Sequence, residues 1–287
     1  MKAFRILSGL ALVAMSCKEQ PKGVKFTEPE KPLLDTTYVI GTVPPAQDKI
    51  VALFDVTGVR CNNCPEAASL ARKIADTLHP GRVVVVALYP SSLPSLTSPW
   101  PGFEPLTSDA ADAITGNLGA IPNLPIGAVD QIKPAGSYYL DRSTWNGHVN
   151  NQLAKTTPLN IDLHTQWITA DNKSRVEVKV TYTSAVTAKH LIFIGLIESN
   201  VESKQLDKNA PGGSLENYIH NHAMRELITA STGDTLNAQL TAGRVFEKQY
   251  YVKTKDTWKP ENIEVVVWIV DATTKEIIHI SKEEIKP

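Results

Sequence analysis

The sequence predicts an α/β unit followed by an all-β sandwich, and three observations predict it. A Cys-x-x-Cys pair, Cys61 and Cys64, lies between a strand-like run and a helix-like run, with a second strand-like run behind them. From about residue 158 onward, short runs alternate apolar and polar residues between turn signals. An apolar leader ends at a third cysteine, Cys17. The 287 residues suffice for two domains. Hydrophobic residues at 42% and charged residues at 21% supply a sizeable core and exclude a wholly disordered chain. A net charge of −1 offers nucleic acid no basic surface.

Residues 1–17 read as an export signal. Lys2 and Arg5 make a positive start, and Ile6 to Met15 form an apolar stretch too short to span a bilayer. Ala14, Met15 and Ser16 lead into Cys17 as in a bacterial lipobox, with Met15 an imperfect match. That resemblance implies a diacylglycerol on the Cys17 thiol and cleavage just before it. Residues 18–36 are polar with three prolines and read as a tether. Lys18 and Glu19 resemble a surface-export tag, so the expected face is periplasmic or the cell surface. Export places the remaining cysteines in an oxidising compartment.

The α/β unit is expected over 37–155. Ile50 to Val56 is strand-like, Pro65 suits a first helical turn, and Ala67, Leu70, Ala71, Ile74 and Leu78 recur at helical spacing. Pro80–Gly81 stops the helix, and Arg82 to Leu88 reads as a strand buried on both faces. The cysteines therefore fall at a helix N-terminus, where free N–H groups stabilise a thiolate. Cys61 would attack and Cys64 resolve, or the pair would close a structural disulfide. A zinc site lacks its further ligands, so no metal and no cofactor are expected. Pro90 to Thr107 reads as a long loop in which Trp100 and Phe103 pin or cover. Ser108 caps a short helix, and Ser143 to Leu153 forms another.

This order resembles a thioredoxin fold. The resemblance makes Asp55, six residues before Cys61, the buried acid that shuttles the proton of the second cysteine, and desolvation should raise its pKa. The alternative is a strand-end Asp bonded to the following turn. The resemblance also makes Pro125 the candidate cis-proline opposite the cysteines, with Pro122 next. Arg60 stands where many thioredoxins carry Trp.

Asp55 to Ala68 (DVTGVRCNNCPEAA) matches the D-x-T-G-x-x-C-x-x-C-P-E pattern of the outer membrane protein 28-related lipoproteins. Glu216 to Arg225 (ENYIHNHAMR) resembles a second string of that family. The resemblance implies a thioredoxin-like domain, an immunoglobulin-like sandwich and an outer-membrane location, and no settled activity.

The sandwich is expected over 156–287, from strand-like runs at Leu159 to Thr169, Arg175 to Thr183, His190 to Glu198, Arg244 to Lys253, Asn262 to Val270 and Ile277 to Ser281. Lys204 to Ser214 reads as a flexible surface loop. His220 and His222 would share a face only on a strand, and packing outweighs metal binding there. Two functions stay open: thiol–disulfide exchange on exported thiol proteins, or a non-catalytic surface adaptor whose Cys61–Cys64 bridge is structural. Either way the partner common to both is the outer membrane, reached through the lipid anchor.

Overall fold

A computed structural model describes residues 32–169 and 173–286. Cys17, the export signal and most of the expected tether lie outside the described residues. Among the described residues no helix is long and apolar enough to cross a membrane.

The strands are β1 (Leu34–Val39), β2 (Val51–Val56), β3 (Val83–Leu88), β4 (Ile126–Val129), β5 (Leu159–Ile168), β6 (Lys173–Tyr182), β7 (His190–Glu198), β8 (Val201–Leu206), β9 (Ser214–His220), β10 (Ala223–Leu227), β11 (Asp234–Thr235), β12 (Arg244–Val252), β13 (Ile263–Asp271) and β14 (Ile277–Glu284). The α-helices are α1 (Cys64–Arg72), α2 (Pro94–Thr97), α3 (Asp109–Leu118) and α4 (Trp145–Leu153). The fold is mostly β and sandwich-like. A four-stranded sheet runs β1-β12-β6-β5, and a larger one runs β14-β13-β7-β10-β3-β2-β4 with β11 beside β7.

Alternation explains the layers. On β7, Ile192, Ile194 and Leu196 face the four-stranded sheet, where Val176, Val178, Val180, Phe246 and Tyr250 meet them. Phe193 and Ile197 point the other way, into a second core with Phe54, Val86 and α3. β13 splits likewise, with Val265 and Val267 on one side and Val266 and Trp268 on the other. Both faces of these strands are apolar because both are covered. Trp268 stacks on Phe193 at 5.1 Å and meets Phe54 edge-on at 6.0 Å.

β2 and β3 pair in parallel through the α1 crossover, and β4 adds antiparallel to β2. α1, the π-helical turn after it and α4 cover the remaining face with Ala67, Ala71, Ile74, Trp145 and Val149. The two expected units share one sheet. β10 joins β3 in parallel at Ala223 and Ala87, and the Ala87 N–H donates to the His222 carbonyl at 2.8 Å. At the far side the sheet curls back: Ile277 N–H donates to the Asp130 carbonyl at 2.8 Å, and Lys49 donates to the Ile277 and Ile278 carbonyls while pairing with Asp130 at 2.9 Å.

Two expectations change. A boundary at 36/37 falls inside β1, which pairs along β12 over six residues, with Asp35 on Lys248 at 2.7 Å. The threonines, Tyr38 and Val39 suit a strand, and β12 offers them an open edge. Lys204 to Ser214 is not a free loop. Its first residues belong to β8, which pairs with β9 in a two-stranded hairpin.

Candidate functional site

Cys61 and Cys64 form a disulfide at the start of α1, with Cα atoms 5.3 Å apart. Pro65 occupies the first turn, where its missing N–H costs nothing. Both cysteines are buried, at 4% and 1% exposure, so Cys61 is not the open thiol its position suggests. Glu66 in that turn pairs with Lys208 at 2.9 Å and Arg142 at 3.1 Å. The hydrogen bond from Lys208, then the Arg142 charge, hold its carboxyl below the usual range.

Two segments clasp the cysteine loop. The β8–β9 hairpin lies along one side: Leu206 N–H donates to the Val59 carbonyl at 3.0 Å and Lys208 N–H to the Asn62 carbonyl at 3.1 Å. Buried Gln205 donates through Nε2 to the Cys61 carbonyl at 3.0 Å and the Gly58 carbonyl at 3.3 Å. The Pro90–Thr107 segment lies on the other. Arg60 N–H donates to the Leu96 carbonyl, its Nε donates to Ser98 O at 2.9 Å, and its guanidinium sits 3.8 Å over Trp100. A Cβ at Gly58 would stand 2.4 Å from the Leu96 carbonyl oxygen, so only glycine fits.

The Leu124–Pro125 bond is cis. Pro125 immediately precedes β4, whose Ile126 pairs with Val56. It therefore lies at the end of β2 from which the cysteine loop departs.

Asp55 is the last residue but one of β2 at 2% exposure, and its Oδ1 has no hydrogen-bond partner. Burial pushes its carboxyl up to about 7. It lines a small cavity, about 50 Å³, with Ala68 and Ala71 of α1, Tyr89, Tyr218 and His220. His220 shares a 2.9 Å hydrogen bond with the Tyr89 hydroxyl through Nδ1, while its Nε2 has no partner. Burial, then the Arg225 charge, push His220 down to about 4. Arg225 is buried on Glu198 at 2.6 Å and donates to the Pro105 carbonyl at 2.7 Å. The two strings that carry the family resemblance, far apart in sequence, thus meet across one cavity.

The profile of the family described as outer membrane protein Omp28 matches residues 120–287. The chain belongs to this family. Its place is accordingly the outer membrane. Among solved structures, HBP35 of Porphyromonas gingivalis superposes at a TM-score of 0.63 and 17% identity. The match covers 83% of this chain and 76% of that one, and it shows a shared fold. A domain of the outer membrane lipoprotein Omp28 from Porphyromonas gingivalis matches at 18% identity over 46% of this chain and 90% of that one. Its TM-score of 0.27 carries no fold argument. No curated protein matches.

Within this Omp28-family chain, the structure gathers Cys61, Cys64, Asp55 and Pro125 at one end of β2. His220 and His222 do not share a strand face: β9 stops at His220, and His222 sits in a turn at φ 58°. Among the described residues no group of three His, Cys, Asp or Glu side chains could hold a metal ion. Sequence reasoning missed Gln205 and Tyr89. Tyr89 directly follows a strand buried on both faces, which marks it as an inward hydroxyl. Gln205 stands in a polar run that resembles any surface loop.

Proposed function

We propose that this outer-membrane protein is anchored by a lipid on Cys17 and exchanges disulfides with thiols of exported proteins through a thioredoxin-like unit at 37–155, the sandwich at 156–287 holding the hairpin over the site. The observation that carries this reading is Asp55. A buried carboxyl without a partner on Oδ1 costs stability, and a purely structural bridge has no use for it. A thiolate of the exported protein attacks Cys61 Sγ. The Cys61–Cys64 bond breaks, and Cys64 leaves as a thiolate that takes a proton from the Asp55 carboxyl. A second thiolate of the same partner then attacks the mixed disulfide. The partner leaves oxidised, and both cysteines of this chain end reduced. The strand–helix–strand order and the cis Pro125 beside β2 support the thioredoxin-like reading.

The burial of both cysteines under Gln205 favours a second reading, a non-catalytic adaptor with a structural bridge. Equilibration of the mature chain in thiol redox buffers, read by alkylation and intact mass, separates the two. A potential at or above about −270 mV supports exchange, and one below about −300 mV supports the adaptor.

A further inference from the structure

We propose that His220 is the positioning partner of Asp55, hydrogen-bonded to it through water across the cavity that opens between α1 and the β9–β10 turn. The inference rests on the exchange reading above and adds a residue to it.

The geometry carries it. Asp55 Oδ1 and His220 Nε2 are both buried, both lack a hydrogen-bond partner, and both belong to residues lining the same cavity. A cavity of about 50 Å³ walled in part by these polar groups admits one or two water molecules, which would bridge them. The imidazole is held in place: Tyr89 grips Nδ1, and the Tyr89 and Tyr218 rings meet it edge-on at 5.8 and 4.8 Å.

A tyrosine hydroxyl donates or accepts. When Tyr89 donates to Nδ1, Nε2 carries the hydrogen and can donate, through water, to an ionised Asp55. When Tyr89 accepts from Nδ1–H, Nε2 is a bare acceptor and can accept, through water, from a protonated Asp55. Neutral His220 therefore matches both states of the carboxyl, and burial keeps it neutral. The cavity reaches the surface beside Arg72, Ile219 and His222, and Ile219 is 43% exposed. Its inner wall includes Ala68, one helical turn beyond Cys64 on the same face of α1. A proton lost from Asp55 to the leaving Cys64 thiolate thus has a way back from solvent. The other charged or titratable groups around the pair are Arg72, Tyr89, Tyr218, His222 and, behind His220, Arg225.

The test titrates Asp55 in the mature chain by its carboxyl infrared band, in wild type and in His220→Leu, His220→Gln and Tyr89→Phe. His220→Leu should raise the Asp55 midpoint by about one pH unit, a tenfold change in ionisation. His220→Gln, which keeps a donor, should restore most of it, and Tyr89→Phe should shift it less. The pH profile for reduction of the disulfide should move with the midpoint. An Asp55 midpoint unchanged in folded His220→Leu overturns the proposal. If that variant does not fold, an unchanged midpoint in both His220→Gln and Tyr89→Phe overturns it. Asp55→Asn separates the two layers. If it leaves the reduction profile unmoved, the exchange reading fails, while coupling of Asp55 to His220 is still decided by the titration.

Discussion

Gln205 reaches across 144 positions of sequence to donate its side-chain amide to the Cys61 carbonyl at 3.0 Å. The contact ties the β8–β9 hairpin to the cysteine loop. Access to the disulfide is therefore expected to depend on an opening of that hairpin.

Gln205→Ala removes the bonds to the Cys61 and Gly58 carbonyls and leaves two acceptors without this donor. At about 1–2 kcal/mol for the pair, local opening should become roughly five- to thirtyfold more frequent. Reduction by dithiothreitol, followed by thiol alkylation, should accelerate to match. An unchanged rate would show that the hairpin is not the barrier.

Asp55 makes stability fall as pH rises. Its carboxyl ionises near 3.8 when unfolded and at about 7 when folded. Between those values the folded state binds more protons, so a contribution of about 4 kcal/mol is present at pH 4 and lost above pH 7. Asp55→Asn should therefore stabilise at pH 8, with the gain shrinking toward pH 4. Urea unfolding at both values checks it, and a pH-independent difference would refute the burial account.

Gly58→Ala should destabilise by at least about 2 kcal/mol. The added Cβ meets a backbone carbonyl oxygen 2.4 Å away, and no side chain can rotate aside. A native unfolding midpoint would mean that the cysteine loop and the Leu96 turn separate more readily than their hydrogen bond implies.

His279 guards the seam where β14 curls onto β2. Nδ1 accepts from the Ile50 N–H at 3.2 Å, and Nε2 lies 3.3 Å from Gln47 Oε1, a pairing that suits the neutral ring. Burial, then the Lys49 and Arg82 charges, push it down to about 4 from an ordinary 6.5. As pH falls from 6.5 to 4 the unfolded state gains the proton first, and about 3 kcal/mol of stability is lost. His279→Gln should remove that loss, narrowing its gap to wild type in acid. Parallel stability curves would contradict it.

Local patterns made most elements legible. Period-two alternation marks β5 and β6 and a continuous apolar run marks β7, each within a residue or two, Ser108 caps α3 through Oγ, and Pro65 opens α1. These follow from neighbours in the chain, where propensity and burial act together. β1 was hidden because its partner β12 lies over 200 residues away, and six residues of moderate strand propensity do not announce which sheet they join.

The sequence by itself determined the strand–helix–strand order around the cysteines, the placement of Cys61 and Cys64 at a helix start and the family to which the chain belongs. Tertiary structure alone decided that both units share one sheet, that Gln205 closes over the cysteines and that His220 faces the cavity of Asp55. Those relations join residues more than 100 positions apart. They depend on which strand edges meet and which polar atoms are stranded by burial, and no local period or motif encodes that.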